Sequence, residues 1–250
     1  MKFTKNDFVR NLAHGQLLVP YLERFDGWDK EWEYKYEPKK SDDAWHPSGD
    51  CIPSATELYA KAQGVDTFGP ISPTLQRTFQ VGHFWHQLIQ NVLVEDLELA
   101  APEDIELVGQ RGWGMAWMTN PLKYEPYHWV RGSADVCPLT LPNWSGLVDI
   151  KTMRSADFNR CRKSGLLPPR FAAKYEAQLN IYMDLHDQVR GLILGVNKDT
   201  SEFIEFEFER NATLVDTIYD KWAYVSDCLD DHNEPDPDTL FELQFQGPIG

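Results

Sequence analysis

The sequence predicts an α/β protein, because the spacing of apolar residues switches along the chain from helical to alternating and back. The resulting order is helix, three strands, helix, two strands, helix, with no internal repeat. A 42% hydrophobic and 13% aromatic content over 250 residues is enough for one large domain, or one domain with an appended subdomain.

The elements follow in order. Residues 28–47 are polar, charged and aromatic without a period, and read as irregular surface chain. Pro53 to Gly64 reads as a short helix, with proline near its start and glycine at its stop. A longer helix follows Pro73, with Phe79, Gly82, His86, Ile89 and Leu93 on one face and Val81, Trp85, Leu88 and Val92 on the next. Apolar around much of its girth, it is expected to be buried. After an acidic linker at 95–104, strands are expected at Ile105–Val108, His128–Val136 and Ser145–Thr152, the last two forming a hairpin through Pro138–Trp144. Pro168-Pro169 opens a helix to about His186. Two strands follow, Gly191–Val196 and Glu202–Phe208, the second alternating as suits a sheet edge. A last helix runs from about Ala212 to Leu229. The expected organisation is an N-terminal elaboration over 1–52, a core over 53–230 and an acidic tail over 231–250.

Lys and Arg number 24 against 39 Asp and Glu, a formal charge of -15. Such a field argues against a protein that coats DNA or an anionic membrane through its overall charge. No apolar stretch reaches a membrane span and no apolar signal core stands at the start, so a cytoplasmic protein is expected. Cys51, Cys137, Cys161 and Cys228 are far apart with no C-x-x-C pair, so free thiols are the default.

Chemistry concentrates on the expected hairpin. Alternation puts Asp149 and Lys151 on one strand face and turns Ile150 into the core. With antiparallel pairing, Asp135 of Gly132-x-x-Asp135 lies beside Asp149, so two carboxylates and an ammonium converge. Adjacent carboxylates repel unless they hold a cation, and hard oxygen donors suit magnesium or manganese. The lysine then orients or deprotonates an attacking water, or offsets charge on a phosphate. Taken alone, D-x-K is equally an exposed cross-strand pair. Gln178 and Tyr182 share a helix face with Phe171 and Tyr175. They brace Lys151 or touch a DNA backbone, or else are a satisfied core glutamine and a packing tyrosine. In Gly82-x-x-x-His86 the imidazole is a third metal ligand or a core histidine, whereas His83 is expected to point elsewhere.

The ordered set Gly82-x-x-x-His86, Gly132-x-x-Asp135, Asp149-x-Lys151 and Gln178-x-x-x-Tyr182 resembles the PD-(D/E)XK nuclease superfamily over roughly residues 53–210. In particular it is similar to the RecB-like branch that includes the CRISPR-associated exonucleases and related phage exonucleases. The resemblance implies a restriction-endonuclease-like core, a central mixed β-sheet flanked by helices. It implies that His86, Asp135, Asp149 and the Ile150 carbonyl bind one or two Mg2+ or Mn2+ ions, that Lys151 is catalytic, and that Gln178 and Tyr182 complete the site. The implied activity is metal-dependent DNA exonuclease on single-stranded or DNA-end substrates in recombination, repair or degradation, with a recombination or replication protein as a possible partner. A structure-specific or restriction-type endonuclease on the same core, or a non-catalytic DNA-binding protein, are the alternatives. Many relatives carry a four-iron cluster on one early and three late cysteines. Here Cys51 matches the first but only Cys228 follows the core, so no iron–sulfur cluster is expected.

A DNA enzyme needs a local basic surface, and one stands between Lys151 and Lys174. There Lys151, Arg154, Arg160, Arg162, Lys163, Arg170 and Lys174 face the single acid Asp157, a net +6 that leaves -21 for the rest. All but Lys151 are candidate DNA contacts; a solvated charged loop is the plainer reading. Trp113, Trp117, Trp129 and Phe158 are candidates to stack on unpaired bases or are core residues.

Overall fold

The computed structural model describes residues 17–28, 44–65, 72–100, 113–117 and 129–249. Its helices are α1 (Val19–Arg24), α2 (Pro47–Asp50), α3 (Ala55–Ala62), α4 (Pro73–Asn91), α5 (Ser155–Ser164), α6 (Pro169–Leu185) and α7 (Ala212–Asp230). The strands are β1 (Trp113–Trp117), β2 (Trp129–Ser133), β3 (Val136–Leu141), β4 (Trp144–Met153), β5 (Arg190–Asn197) and β6 (Phe203–Glu209). The expected strand at Ile105–Val108 lies outside the described residues.

This is an α/β architecture with a central mixed sheet flanked by helices. Its four strands lie in the order β3-β4-β5-β6, with β4 and β5 parallel and the outer pairs antiparallel. The parallel pair requires a crossover, which α5 and α6 supply. A separate antiparallel pair, β1 and β2, matches Trp113 with Ser133.

Local chemistry explains most boundaries. Ser54 and Glu57 form a reciprocal capping box at α3. Ser72 caps α4 ahead of Pro73, and Asn211 caps α7 by accepting from the Leu214 amide at 3.1 Å. Gly165 ends α5 in the left-handed region at φ 69°, a conformation that costs glycine nothing.

Three apolar clusters fix the layers. Val148, Ile150, Leu192, Leu194 and Val196 of the sheet pack under Leu18, Leu22, Ile89, Val92 and Leu93. The other sheet face, with Leu147, Ile193 and Phe206, meets Phe158 and Cys161 of α5 and Leu179 and Met183 of α6. The far side of α6 packs through Ala177 and Ile181 on Leu214, Ile218 and Trp222 of α7, together with Trp45, Cys51 and Leu58.

Five expectations are corrected. The strand expected at His128–Val136 breaks at Ala134-Asp135, and the hairpin arm is β3, joined to β4 by Pro142-Asn143 alone. Pro138 reads as a turn residue in sequence, yet sits within β3 because an edge strand has no partner for the missing amide. The basic connection is not a loop: its residues 155–164 form α5. The α4 helix is buried only from Leu88 onward, and Leu75, Phe79, Val81 and Phe84 stand exposed. Finally, Trp45, read as surface chain, is fully buried, donates from Nε1 to Ser226 Oγ at 3.2 Å and stacks on Trp222. Its apolar ring area outweighs the polar composition of its neighbours in sequence.

Strand β6 is the expected sheet edge, and its outward acids are used rather than left wet. The Glu205 carboxylate accepts the amides of Leu17, Leu18 and Val19 and so ties α1 to the sheet. The chain after α7 also returns: the Gln246 amide donates to Glu176 Oε1 at 2.7 Å, and Phe241 and Leu243 pack on the α7 cluster. Among the described residues no helix is long and apolar enough to cross a membrane.

Candidate functional site

The site forms where β3 leaves the break at Asp135 and β4 runs antiparallel beside it. Val136 faces Val148, which brings Asp135 level with the Asp149–Lys151 segment. Alternation along β4 buries Ile150 in the core and leaves Asp149 and Lys151 on the other face. The Ile150 amide donates to Asp135 Oδ2 at 2.6 Å, fixing that carboxylate against the D-x-K strand. Its other oxygen, Oδ1, lies 3.0 Å from His86 Nδ1 on α4. One turn further along α4, Gln90 Nε2 donates to the Asp135 carbonyl at 2.7 Å. Gln90 was not singled out in the sequence; its i+4 spacing from His86 is the signal that finds it.

Lys151 continues the network on the other side. Its ammonium hydrogen-bonds Asp149 Oδ1 at 2.9 Å and Gln178 Oε1 at 3.1 Å, and sits 5.2 Å from the Tyr175 ring centroid. Gln178 Nε2 in turn donates to Tyr182 Oη at 2.9 Å. Gln178 is therefore a buried amide that braces the lysine. Gly132 explains itself in the same place: a Cβ there would stand 2.6 Å from Tyr182 Cε1 and 3.2 Å from Pro47, so only hydrogen fits.

Electrostatics follow from burial and pairing. Burial pulls the His86 imidazole down, but the charge and hydrogen bond of Asp135 outweigh it and hold it above its ordinary value. Burial raises the Asp135 carboxyl, and His86, Lys151 and the Ile150 amide more than reverse that, leaving it low. For Asp149 burial prevails over the Lys151 charge, and the carboxyl stays raised. Burial lowers Lys151, and Asp149 and Asp135 overcome it, so the side chain is an ammonium.

Two ion-paired halves, His86 with Asp135 and Asp149 with Lys151, thus make up the centre. Among the described residues, no group of three His, Cys, Asp or Glu side chains is assembled as a metal-holding set. The donor chemistry nevertheless suits a hard divalent cation. Asp149 Oδ2 is buried and pairs with the Lys151 ammonium at 2.7 Å, so this carboxylate would be shared between the lysine and a cation. His86 Nδ1 and Asp135 Oδ1 are engaged with each other at 3.0 Å, and a cation held there would take the place of that hydrogen bond.

A cleft of about 510 Å³ opens beside the centre. One wall is a stripe of α4 comprising Leu75, Thr78, Phe79, Gly82, His83 and His86, and the other holds Thr152, Arg154, Asp157, Arg170, Phe171 and Lys198. His83 was expected to point away, but i and i+3 share a face, and it lines the cleft with His86. Of the expected basic contacts, Arg154 and Arg170 reach this cleft. Arg162 is engaged elsewhere, with Glu202 at 2.7 Å and Asn159 at 2.8 Å. Arg160 and Lys163 are exposed on α5, and exposed Lys174 lines a separate cavity with Pro47 and Cys51. Lys198 was missed because it follows β5, far in sequence from the basic run; the fold brings its amide to the Met153 carbonyl at 3.0 Å. Phe158 is core, 1% exposed, and is withdrawn as a stacking surface. The side chains of Trp113, Trp117 and Trp129 lie outside the described residues.

No family model and no curated protein matches the chain. Solved structures do. The protein SSO0001 aligns with a TM-score of 0.46 at 19% identity, over 79% of this chain and 81% of its own. The LHK-Exo protein of Laribacter hongkongensis in complex with dAMP aligns with a TM-score of 0.48 at 15% identity, over 76% of this chain and 89% of its own. A phage related exonuclease from Haemophilus somnus 129PT aligns with a TM-score of 0.42 at 14% identity, over 72% and 82%.

Proposed function

We propose that the chain is a divalent-metal-dependent deoxyribonuclease of the PD-(D/E)XK kind, acting as an exonuclease on DNA ends or single strands. The observation that carries this reading is the convergence of two buried acids, Asp135 in the break before β3 and Asp149 on the antiparallel β4, with the half-buried Lys151, and with His86 hydrogen-bonded to the first acid. Two buried acids beside one lysine are a costly arrangement for stability alone. They are what a phosphodiester hydrolase needs.

In this reading His86, Asp135, Asp149 and the Ile150 carbonyl hold Mg2+ or Mn2+, as one ion or two. The ion supplies Lewis-acid charge and a water of lowered pKa. Lys151, held as an ammonium by Asp149 and Gln178, orients the attacking water and offsets charge building on the phosphate. Tyr182 fixes Gln178, and Gln178 fixes the lysine. Water attacks phosphorus in line and gives up one proton to solvent, the P–O bond to the leaving oxygen breaks, and that oxygen takes up a proton from solvent. The cations Arg154, Arg170 and Lys198 beside the centre meet the requirement for a local basic surface on an acidic protein.

Incubation of the purified chain with Mn2+ and end-labelled linear DNA, alongside covalently closed circles of the same sequence, tests the reading. Loss of the linear DNA with intact circles is expected. Cut circles would replace the exonuclease with an endonuclease on the same residues, and survival of both substrates would remove the nuclease.

A further inference from the structure

Helix α6 carries buried polar side chains on two opposite faces. With 3.6 residues per turn, positions two apart stand about 200° round the axis and positions four apart share a face. Gln178 and Tyr182 face the centre, so Glu176 and Asn180 occupy the back of the same turns. Glu176 is 4% and Asn180 1% exposed, and buried polar groups of this kind need hydrogen-bond partners. Theirs come from the start of α7 and from the chain that returns after it.

The Glu176 carboxylate accepts the Gln246 amide at 2.7 Å and the Gly247 amide at 3.1 Å. Among the described residues no ion pair reaches it, and a buried carboxylate without a cation is costly unless donors of this kind hold it. Asn180 adds a second route. Its Nδ2 donates to the Glu176 carbonyl at 2.9 Å, its Oδ1 accepts the Asn211 amide at 2.6 Å, and Asn211 Nδ2 donates to the Gln244 carbonyl at 2.8 Å. The Ile249 amide then donates to the Glu207 carbonyl of β6 at 2.7 Å. Residues 244–249 thus cross the back of α6 between the N-terminus of α7 and the sheet edge, after Phe241 and Leu243 have seated on the α7 cluster.

Packed interiors transmit displacement, so a segment bound on the back of a helix fixes where its front stands. The front here has little tolerance. Gln178 Oε1 meets the Lys151 ammonium at 3.1 Å, at the long end of the usual range of about 2.7–3.2 Å, and a small retreat of α6 breaks that contact. We propose that Glu176 is a positioning residue: together with the returning chain at 244–249 it clamps α6 so that Gln178 stays on Lys151. The inference rests on the nuclease reading and adds to it a control on turnover from outside the centre.

Steady-state degradation of end-labelled linear DNA in Mn2+ by variants of the whole chain tests the clamp. Glu176→Ala removes the acceptor, and Gln246→Pro removes the 2.7 Å donor at an exposed position outside every helix and strand. Each is expected to lower kcat by about 10²-fold, the effect of a misplacement of about 1 Å, with KM as in the parent. Glu176→Gln keeps one acceptor oxygen and is expected to recover most of that loss. Because the clamp acts through Gln178, neither substitution is expected to lower kcat further in a Gln178→Ala background. Parent kcat in both variants, a change in KM alone, or a loss that multiplies with that of Gln178→Ala would overturn the clamp and leave the nuclease reading standing. A Glu176→Ala chain that does not fold leaves Gln246→Pro to decide by the same readouts. If the parent degrades no DNA, the nuclease reading fails and the clamp's part in turnover fails with it.

Discussion

Replacing Gly132 with alanine adds a single methyl group at the point where β2 passes α6. That methyl would stand 2.6 Å from Tyr182 Cε1 and 3.2 Å from the Pro47 ring. Carbon atoms rest at about 3.5–4.0 Å, so the tyrosine ring must move by about 1 Å, because the proline leaves little room to share the strain. Overpacking of this kind costs about 1–3 kcal/mol. For a chain of this size each kcal/mol lowers the thermal midpoint by about 2–4 °C, giving a drop of about 2–12 °C. Function should suffer more than stability. Tyr182 holds Gln178, which holds Lys151, and a 1 Å displacement passed along that relay costs about 10²-fold in turnover. The assay is a thermal melt together with turnover on linear DNA for Gly132→Ala, Tyr182→Leu and the double variant. Shrinking Tyr182 removes the clash, so the double variant should melt higher than the sum of the two single losses allows. A Gly132→Ala protein with the parent's midpoint and turnover would refute the argument, and so would simple additivity in the double variant.

Two further predictions concern charge and metal. Burial lowers Lys221 to about 8, while its amine donates to the carbonyls of Cys51 and Pro53. The folded state therefore holds this proton less tightly than the unfolded chain, whose lysine titrates near 10.5. Between those two values the unfolded state binds more protons, and stability rises with pH. The cost is full below about pH 8 and gone above pH 10.5, so urea unfolding should show a gain of about 2 kcal/mol from pH 7.5 to 9.5 in the parent, absent in Lys221→Met. Equal pH slopes in the two proteins would remove Lys221 as the cause. Mn2+ at about 100 times its Kd should stabilise the parent by about 2.7 kcal/mol in a thermal melt, and Asp149→Asn should abolish most of that gain. An identical Mn2+ shift in the variant would place the ion elsewhere.

The legibility of the fold followed the reach of the interactions that set it. Period-2 spacing placed Ile150 inward and Asp149 with Lys151 outward, because alternation is a property of the strand itself. Spacing of four residues likewise put Gln178 and Tyr182 on one helix face, and the hydrogen bond between them follows. Helical spacing identifies the α4 stripe but not the neighbour it faces. Phe79, Gly82 and His86 do share a face, yet the N-terminal part of that face lines an open cleft instead of a core, and apolar spacing alone does not distinguish the two. Pro138 misled because strand order, which decides whether a missing amide matters, is a tertiary fact. Lys198 and Trp45 were invisible for the same reason: each acts through partners distant in sequence, Met153 for one and Ser226 and Trp222 for the other. Net charge was the least informative quantity, since an overall -15 coexists with Arg154, Arg170 and Lys198 around one opening.

In the proposed hydrolysis of phosphodiester bonds by Asp135, Asp149 and Lys151, Lys151 is the residue whose loss is most telling. Degradation of end-labelled linear DNA in Mn2+ should be rapid in the parent and fall by several orders of magnitude in Lys151→Ala, in a protein whose circular dichroism spectrum matches the parent's. Undiminished degradation by Lys151→Ala would remove the acid and lysine cluster as the hydrolytic centre.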